Sequence, residues 1–344
     1  MHFSFFFLPF SIFNFLFAIR IAPMFLLSPQ IFFWDLAIVL LIAFFGCTSL
    51  GCTVWIRRKS QCPCRKFLIS AVATVSALAG AIIVYGAFIE PRIITVTEHT
   101  IDLEIAEPLT IAVVSDFHVG PYKDKRFVEK VVRTINNRLP DLVLLAGDYL
   151  YTEDARLSDL EPLGNLRASA GVFGVLGNHD QGQLASIFGN RFFTFNRGED
   201  IADFLESLGI QMLRNENRVL PLGDSSLVIA GIDDLWTSDA DIEAALRDIP
   251  DSVPVILLSH NPNVVQDPRS RAADLIVSGH THGGQVRLPS LGSLILPVGI
   301  PRRFEQGIIP TDSDATLLVT RGVGETWGRA RFFAWPEVVL LTVQ

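Results

Sequence analysis

The chain has 344 residues, a formal net charge of −8 and 49% hydrophobic residues, with a mean hydropathy of +0.39. So apolar a composition excludes a single ordinary soluble domain. The acidic balance excludes a protein that holds nucleic acid through a basic surface.

The apolar excess lies in the first ninety residues. Residues 1–19 form a phenylalanine-rich stretch interrupted by Pro9 and Asn14, with the first basic residue at Arg20. A cleaved signal peptide calls for a basic start and a small-residue cleavage site, so this stretch reads as a retained anchor; Met24 is an alternative start. Residues 36–56 and 67–89 carry no charged side chain, and each has about the twenty residues that a bilayer core demands. The loop between them, 57–66, holds five basic residues and no acid. The positive-inside rule assigns that loop to the cytoplasm and everything after Glu90 to the far side of the membrane. Without those five cations the rest of the chain carries −13. All four cysteines (Cys47, Cys52, Cys62, Cys64) precede residue 65. The Cys62-Pro63-Cys64 pair supplies only two thiols and reads as juxtamembrane filler rather than a metal site. The expected organisation is a membrane anchor over 1–90 and one domain over 91–344.

From Pro91 onward the pattern is that of an α/β domain. Residues 110–115 read as a buried strand, 123–138 as a helix with Phe127, Val128, Val131, Val132 and Ile135 on one face, and 141–146 as the next strand. A helix over 157–168, a strand over 171–176 and a helix over 201–208 follow. Further strands are expected at 227–232, 253–258 and 275–278, and a last β-rich stretch at 315–343. Residues 182–198 read as a long loop or lid.

The chemistry-bearing residues stand where these strands end, which is where open α/β sheets bind ligands. They are Asp116-Phe117-His118, Gly147-Asp148, Gly177-Asn178-His179-Asp180, Ser259-His260 and Gly279-His280-Thr281-His282-Gly283-Gly284. Each alone has a plain reading as turn or cap residues. Five in order at strand ends point instead to a metal centre. Oxygen and nitrogen donors without thiolate suit Mn, Fe, Zn or Co and argue against structural zinc. On an extended tip, Asp116 and His118 are expected to point to one side, as are His280 and His282. The glycines are expected to leave room for a metal or phosphate. Asp233-Asp234 reads as a strand-ending turn rather than a contact to the site, and Arg302, Arg303, Arg329 and Arg331 as solvated surface rather than sites for substrate phosphate or anionic headgroups.

This motif series resembles the signature of the calcineurin-like metallophosphoesterases, D-x-H, G-D, G-N-H-D/E, H and G-H-x-H, over residues 110–285. The Ser259-His-Asn-Pro262 and Arg321-Gly-Val-Gly-Glu-Thr-Trp-Gly328 segments, with Arg331-Phe-Phe, are similar to its membrane-anchored bacterial branch. The resemblance implies a four-layer α/β/β/α sandwich and two divalent metal ions. Asp116, His118 and His282 would hold the first ion, Asp148 would bridge, and Asn178, His260 and His280 would hold the second. His179 would donate a proton to the leaving group, and Asp180 would orient its ring. Two such ions, about 3.5–4 Å apart, activate water for in-line attack on phosphorus. The implied enzyme is a phosphodiester or pyrophosphate hydrolase in the bacterial inner membrane, acting on a lipid-linked phosphate such as a UDP-2,3-diacylglucosamine-type lipid A precursor. That substrate is cytoplasmic and conflicts with the far-side topology: either residues 67–89 do not cross and the domain is cytoplasmic, or the substrate is a far-side phosphodiester such as a phospholipid headgroup or a nucleotide. A non-catalytic scaffold is disfavoured because no signature residue is missing.

Overall fold

The computed structural model describes residues 29–59, 62–185, 191–194, 196–223, 225–250 and 252–344, so the apolar stretch 1–19 lies outside the described residues. The chain divides into two compact units between Ile83 and Val84.

The first unit contains helices α1 (Pro29–Lys59) and α2 (Pro63–Val84). Both are long and apolar enough to cross a membrane, by length and composition. They expose Phe33, Phe44 and Leu50 on α1 and Phe67, Leu68 and Val75 on α2. Helices satisfy every backbone polar group internally, which is what a hydrocarbon medium requires.

The second unit includes a π-turn, Tyr85–Ile89, and a 3-10 turn, Glu90–Arg92. Sixteen strands are described beyond that point. The first sheet contains β1 (Thr95–Ile101), β2 (Leu109–Val114), β3 (Leu142–Ala146), β4 (Gly171–Val175), β7 (Gln211–Met212) and β16 (Glu337–Val343). Their spatial order is β1-β16-β2-β3-β4-β7; β16 pairs parallel with β1 and antiparallel with β2, and the remaining pairs are parallel.

The second sheet runs β14 (Gly307–Pro310), β15 (Thr316–Val319), β11 (Leu275–Ser278), β10 (Val255–Leu258), β9 (Ser225–Gly231), β8 (Glu216–Leu222). Its four central strands are parallel and the two edge strands antiparallel. Two small ladders complete the set. One pairs β5 (Gln183–Ala185) with β6 (Arg191–Phe193), and the other pairs β12 (Arg287–Leu288) with β13 (Gly292–Ser293). The former corrects the expectation of a structureless lid over 182–198, because backbone pairing there needs no apolar alternation to announce it.

Helix α3 (Lys125–Asn136) begins at Asp124, whose carboxylate accepts the Phe127 N–H, and buries Val128, Val131, Val132 and Ile135. A capped start followed by apolar residues at helical spacing is sufficient cause for that element. The segment expected as a helix over 157–168 is a 3-10 helix, Leu157–Asn165, with Pro162 inside; proline removes the N–H that an α-helical ladder needs. Helix α4 (Gly198–Ser207) buries Ile201, Ala202 and Leu205.

Three hydrophobic clusters organise the second unit. One joins Ile111, Val113, Leu142, Leu144 and Val175 of the first sheet to Leu227, Ile229, Ile256, Leu258 and Val277 of the second. A second packs α3, the 3-10 helix and α4 on Ala112, Val114, Val143 and Leu145. The third packs Ile242, Ala245, Val264 and Phe304 on Val228, Ala230, Leu257 and Ile276. The parallel central strands are covered on both faces and so read as continuous apolar runs. Each fully buried aliphatic side chain contributes about 1.5–3 kcal/mol.

Candidate metal centre

The motif residues follow the C-terminal ends of β2, β3 and β4 in one sheet and of β10 and β11 in the other. Five of them, Asp116, His118, Asp148, His280 and His282, have φ between 45° and 69°. The strand has therefore ended before each motif, and the expected extended tips do not exist. The side chains converge through left-handed backbone, a conformation that costs about 1–3 kcal/mol per non-glycine residue and clusters at functional sites.

Three groups of donors lie within 4.8 Å of one another: Asp116, His118 and His282; His118, Asp148 and His179; and Asp116, Asp148 and His260. In the first group His118 Nε2 stands 3.2 Å from His282 Nε2, and His282 Nε2 stands 3.4 Å from Asp116 Oδ1. Asp148 Oδ2 lies 3.4 Å from His118 Nε2 and 3.2 Å from His260 Nε2, so this one carboxylate touches both sides. His280 Nδ1 is 3.2 Å from His260 Nε2. Asn178 donates its side-chain amide to the Gln183 carbonyl, leaving its buried Oδ1 without a hydrogen bond.

The ring tautomers are set by second contacts. His260 Nδ1 faces the Ala146 carbonyl at 2.7 Å and His282 Nδ1 faces the Gly324 carbonyl at 3.3 Å. Each ring thereby turns Nε2 inward as a donor atom, the usual means of orienting a metal-binding imidazole. Burial holds His118, His280 and His282 well below the ordinary histidine range, which keeps them neutral. Burial opposes charge on His260 too, but Asp148, Asp116 and Asp234 outweigh it and raise that ring to about 10. Burial likewise pushes Asp148 up, against the stronger combined pull of His260, His179 and His118, which holds it well below the usual carboxylate range. Asp116 is raised to about 7, chiefly by burial. Asp116, His118, Asp148, His260 and His282 come together in the donor groups, while Asn178 Oδ1 and His280 Nε2 are buried without a hydrogen bond and stand outside those groups. Imidazole, carboxylate and amide donors fit divalent cations of the Mn, Fe, Zn or Co type, and such a cation would replace the proton that His260 otherwise holds.

Among these motif residues His179 is the one that is only half-buried. Its ring stacks on Tyr151 at 5.6 Å and meets His118 edge-on at 4.5 Å, while its backbone N–H donates to Asp148 Oδ1 at 2.9 Å. Burial lowers its pKa from the ordinary value. Asp180, expected to orient the His179 ring, does something else. Its oxygens accept the backbone N–H groups of Asp148, Tyr149, Leu150 and Gly177 at 2.9–3.2 Å. It ties the loop after β3 to the loop after β4, and so positions Asp148.

The glycines also act differently from the expectation. A Cβ at Gly177 would lie 2.0 Å from Asp148 Oδ1, and one at Gly279 would lie 2.0 Å from Ser115 Oγ. Their bareness lets motif loops pack on one another rather than on a ligand.

Asp233 pairs with Arg214 at 3.0 Å. Asp234 is fully buried and accepts the Trp236 N–H at 2.8 Å, forming a turn that sets Trp236 edge-on to His280 at 4.8 Å. The expected turn is present, and it brings Trp236 against the candidate ligand His280. Arg331, expected at the surface, is fully buried. Its guanidinium donates to the carbonyls of Arg321, Gly322, Gly324 and Ala334, holding the 321–324 loop whose Gly324 carbonyl faces His282. The same loop meets Asp116 and Phe117, whose atoms crowd Gly322 and Gly324. Arg331→Leu removes a donor from four carbonyls, of which Gly322 keeps the Glu337 N–H and Gly324 keeps the His282 ring, and is expected to cost about 3–5 kcal/mol, as when one partner of a buried charged network is removed. A fall in thermal midpoint in detergent checks this; an unchanged midpoint contradicts it.

The profile of calcineurin-like phosphoesterases matches residues 109–284. The chain belongs to the calcineurin-like phosphoesterases. It is 31% identical to the uncharacterized metallophosphoesterase YkuE of Bacillus subtilis, over 81% of this chain and 96% of the relative. It is 28% identical to the phosphodiesterase YaeI of Escherichia coli, over 80% and 97%. It is 25% identical to the UDP-2,3-diacylglucosamine pyrophosphatase LpxG of Chlamydia trachomatis, over 80% and 96%. This calcineurin-like phosphoesterase is a hydrolase of phosphoric ester or anhydride bonds.

Proposed function

We propose that this phosphoesterase uses two divalent metal ions to hydrolyse a phosphodiester or pyrophosphate bond in a lipid-linked substrate, from a domain anchored to the bacterial inner membrane by α1 and α2. The observation that carries the reading is Asp148, whose Oδ2 stands within 3.4 Å of donor atoms on both sides of the centre. Asp116, His118 and His282 would hold one ion, and Asn178, His260 and His280 the other, with Asp148 between them. When bound, the pair supplies an activated water and neutralises phosphoryl oxygens. His179 presents a half-buried imidazole beside the centre and, once protonated, gives its proton to the departing oxygen; burial lowers its pKa, which makes it a readier proton donor in that form. Asp180 acts through the backbone by fixing Asp148. The four-layer α/β/β/α arrangement is supported by the three clusters, one shared by both sheets and one on each outer face.

The lipid-linked substrate is supported by the two apolar helices and by the printed activity of the Chlamydia relative. The basic 57–66 loop favours a catalytic domain on the far side of the membrane, and there a phospholipid-headgroup phosphodiester fits best. The test is metal analysis of the purified full chain together with phosphate release from a lipid-extract panel and from bis-p-nitrophenyl phosphate. Two metal equivalents and release from a lipid fraction are expected; metal-loaded protein that hydrolyses neither overturns the reading.

A further inference from the structure

The hairpin β12–β13 and the residues after it carry an apolar surface that the fold does not cover. Leu291 is 71% exposed, Leu294 52% and Ile295 53%, with Leu288 exposed beside them. A run of exposed aliphatic residues is unusual on a soluble surface and marks an interaction site. The base of the hairpin is firmly built: Ser293 N–H donates to Glu305, Arg302 donates to the Ser293 carbonyl at 3.0 Å, and Arg287 pairs with Glu305. Ile300 and Phe304, a few residues on, are buried in the core. The hairpin thus holds its apolar side chains outward on a fixed support.

Its position identifies the occupant. Val286 bridges Phe332, and the Arg287 N–H donates to the Phe332 carbonyl at 2.8 Å. Phe332 in turn meets Tyr85 edge-on at 6.4 Å, the Arg331 N–H donates to the Gly86 carbonyl at 2.8 Å, and Trp335 donates to the Tyr85 hydroxyl at 3.3 Å. The base of the hairpin therefore shares one strip of the domain with the first residues after α2. Phe333 and Ile89 extend that strip with exposed apolar surface. Charge agrees: residues 286–304 contain Arg287, Arg302 and Arg303 and no acid; Arg287 is paired with Glu305, and Arg303, whose side chain is 60% exposed, meets the exposed Asp312 only at 4.0 Å, at the edge of ion-pair range.

We propose that the β12–β13 hairpin and Leu294–Ile295 dock into the lipid surface, with Arg303 at the level of anionic headgroups. This rests on the reading of α1 and α2 as the anchor, and not on the metal assignment. Amphipathic elements of this kind sit at the boundary between headgroups and acyl chains. The hairpin also lies directly beyond the metal motif, since a Cβ on Gly284 would meet Ser293 and the Ile295 carbonyl. Docking would hold the candidate centre close to the bilayer surface.

The test uses the full chain with Cys47, Cys52, Cys62 and Cys64 replaced by alanine, reconstituted in vesicles of phosphatidylethanolamine and phosphatidylglycerol. Single cysteines at Leu291→Cys, Leu294→Cys, Leu139→Cys and Leu50→Cys receive an environment-sensitive fluorophore, and spin-labelled lipids serve as quenchers. Leu139 is exposed at the opposite end of β3 from the motifs. Quenching at 291 and 294 at least about twofold above that at 139 is expected for groups at the headgroup boundary. Quenching at both sites no stronger than at 139 overturns the proposal, as does a concentration-dependent blue shift without lipid quenching, which would make a second copy of the chain the occupant. Leu50 on α1 reports separately on the anchor, and no hydrolysis is measured, so failure of the hairpin proposal is distinguishable from failure of the catalytic one.

Discussion

His179→Ala is expected to retain both metal equivalents and to lose about 10²–10⁴-fold in turnover of an alkyl phosphodiester, the range of a general acid. The loss should be much smaller with a p-nitrophenolate leaving group, which departs without a proton. The reason lies in the division of the site. His179 is half-buried and stacked on Tyr151, whereas Asp116, His118, Asp148, His260, His280 and His282 are all buried. Equal losses on the two leaving groups, or loss of metal, would place His179 among the ligands, a possibility raised by its grouping with His118 and Asp148.

The second large effect is expected from Asp148→Asn. The substitution preserves shape while removing the charge that faces His118 and His260, and leaves an amide beside the His179 N–H. Metal content should fall, and affinity should drop by more than the about 10–100-fold typical of residues that only support a ligand. Metal analysis after dialysis, alongside a thermal melt to show that the domain stays folded, measures this. Full metal content in a folded variant would remove Asp148 from the centre. Asp180→Asn gives a useful contrast, since its oxygens serve backbone amides. It should lower the thermal midpoint and metal affinity together.

The parallel core of this fold was readable because its strands are short apolar runs that end in chemistry. Residues 275–278 are an example: the strand is apolar, and Gly279-His280 follows at once. What escaped were elements whose cause lies elsewhere in the chain. Strand β1 has the sequence Thr-Val-Thr-Glu-His-Thr-Ile and is only partly buried; it exists because β16 offers it an edge. Strand β8 contains charged residues and a proline and is held by β9. At the centre, the residue types and their order were legible, while the backbone that aims them was not. Nothing local in Asp116-Phe117-His118 announces two left-handed residues; they are imposed by packing against Gly279, Gly322 and Gly324. Arg331 was misread for a similar reason, because an arginine's burial depends on carbonyls ten residues away as much as on its neighbours.

The pairing of β16 has a consequence for how the domain is made. The last strand, Glu337–Val343, inserts between β1 and β2, and Gln344 exchanges backbone hydrogen bonds with Ile101 and Leu103. Until Glu337–Val343 inserts, the first sheet lacks an interior strand, and β1 has no partner. Closure over so long a span of chain is slow and leaves unpaired edges meanwhile. An intermediate in which β16 has not yet inserted therefore displays two open sheet edges, on β1 and on β2, to whatever chaperone or protease meets it first.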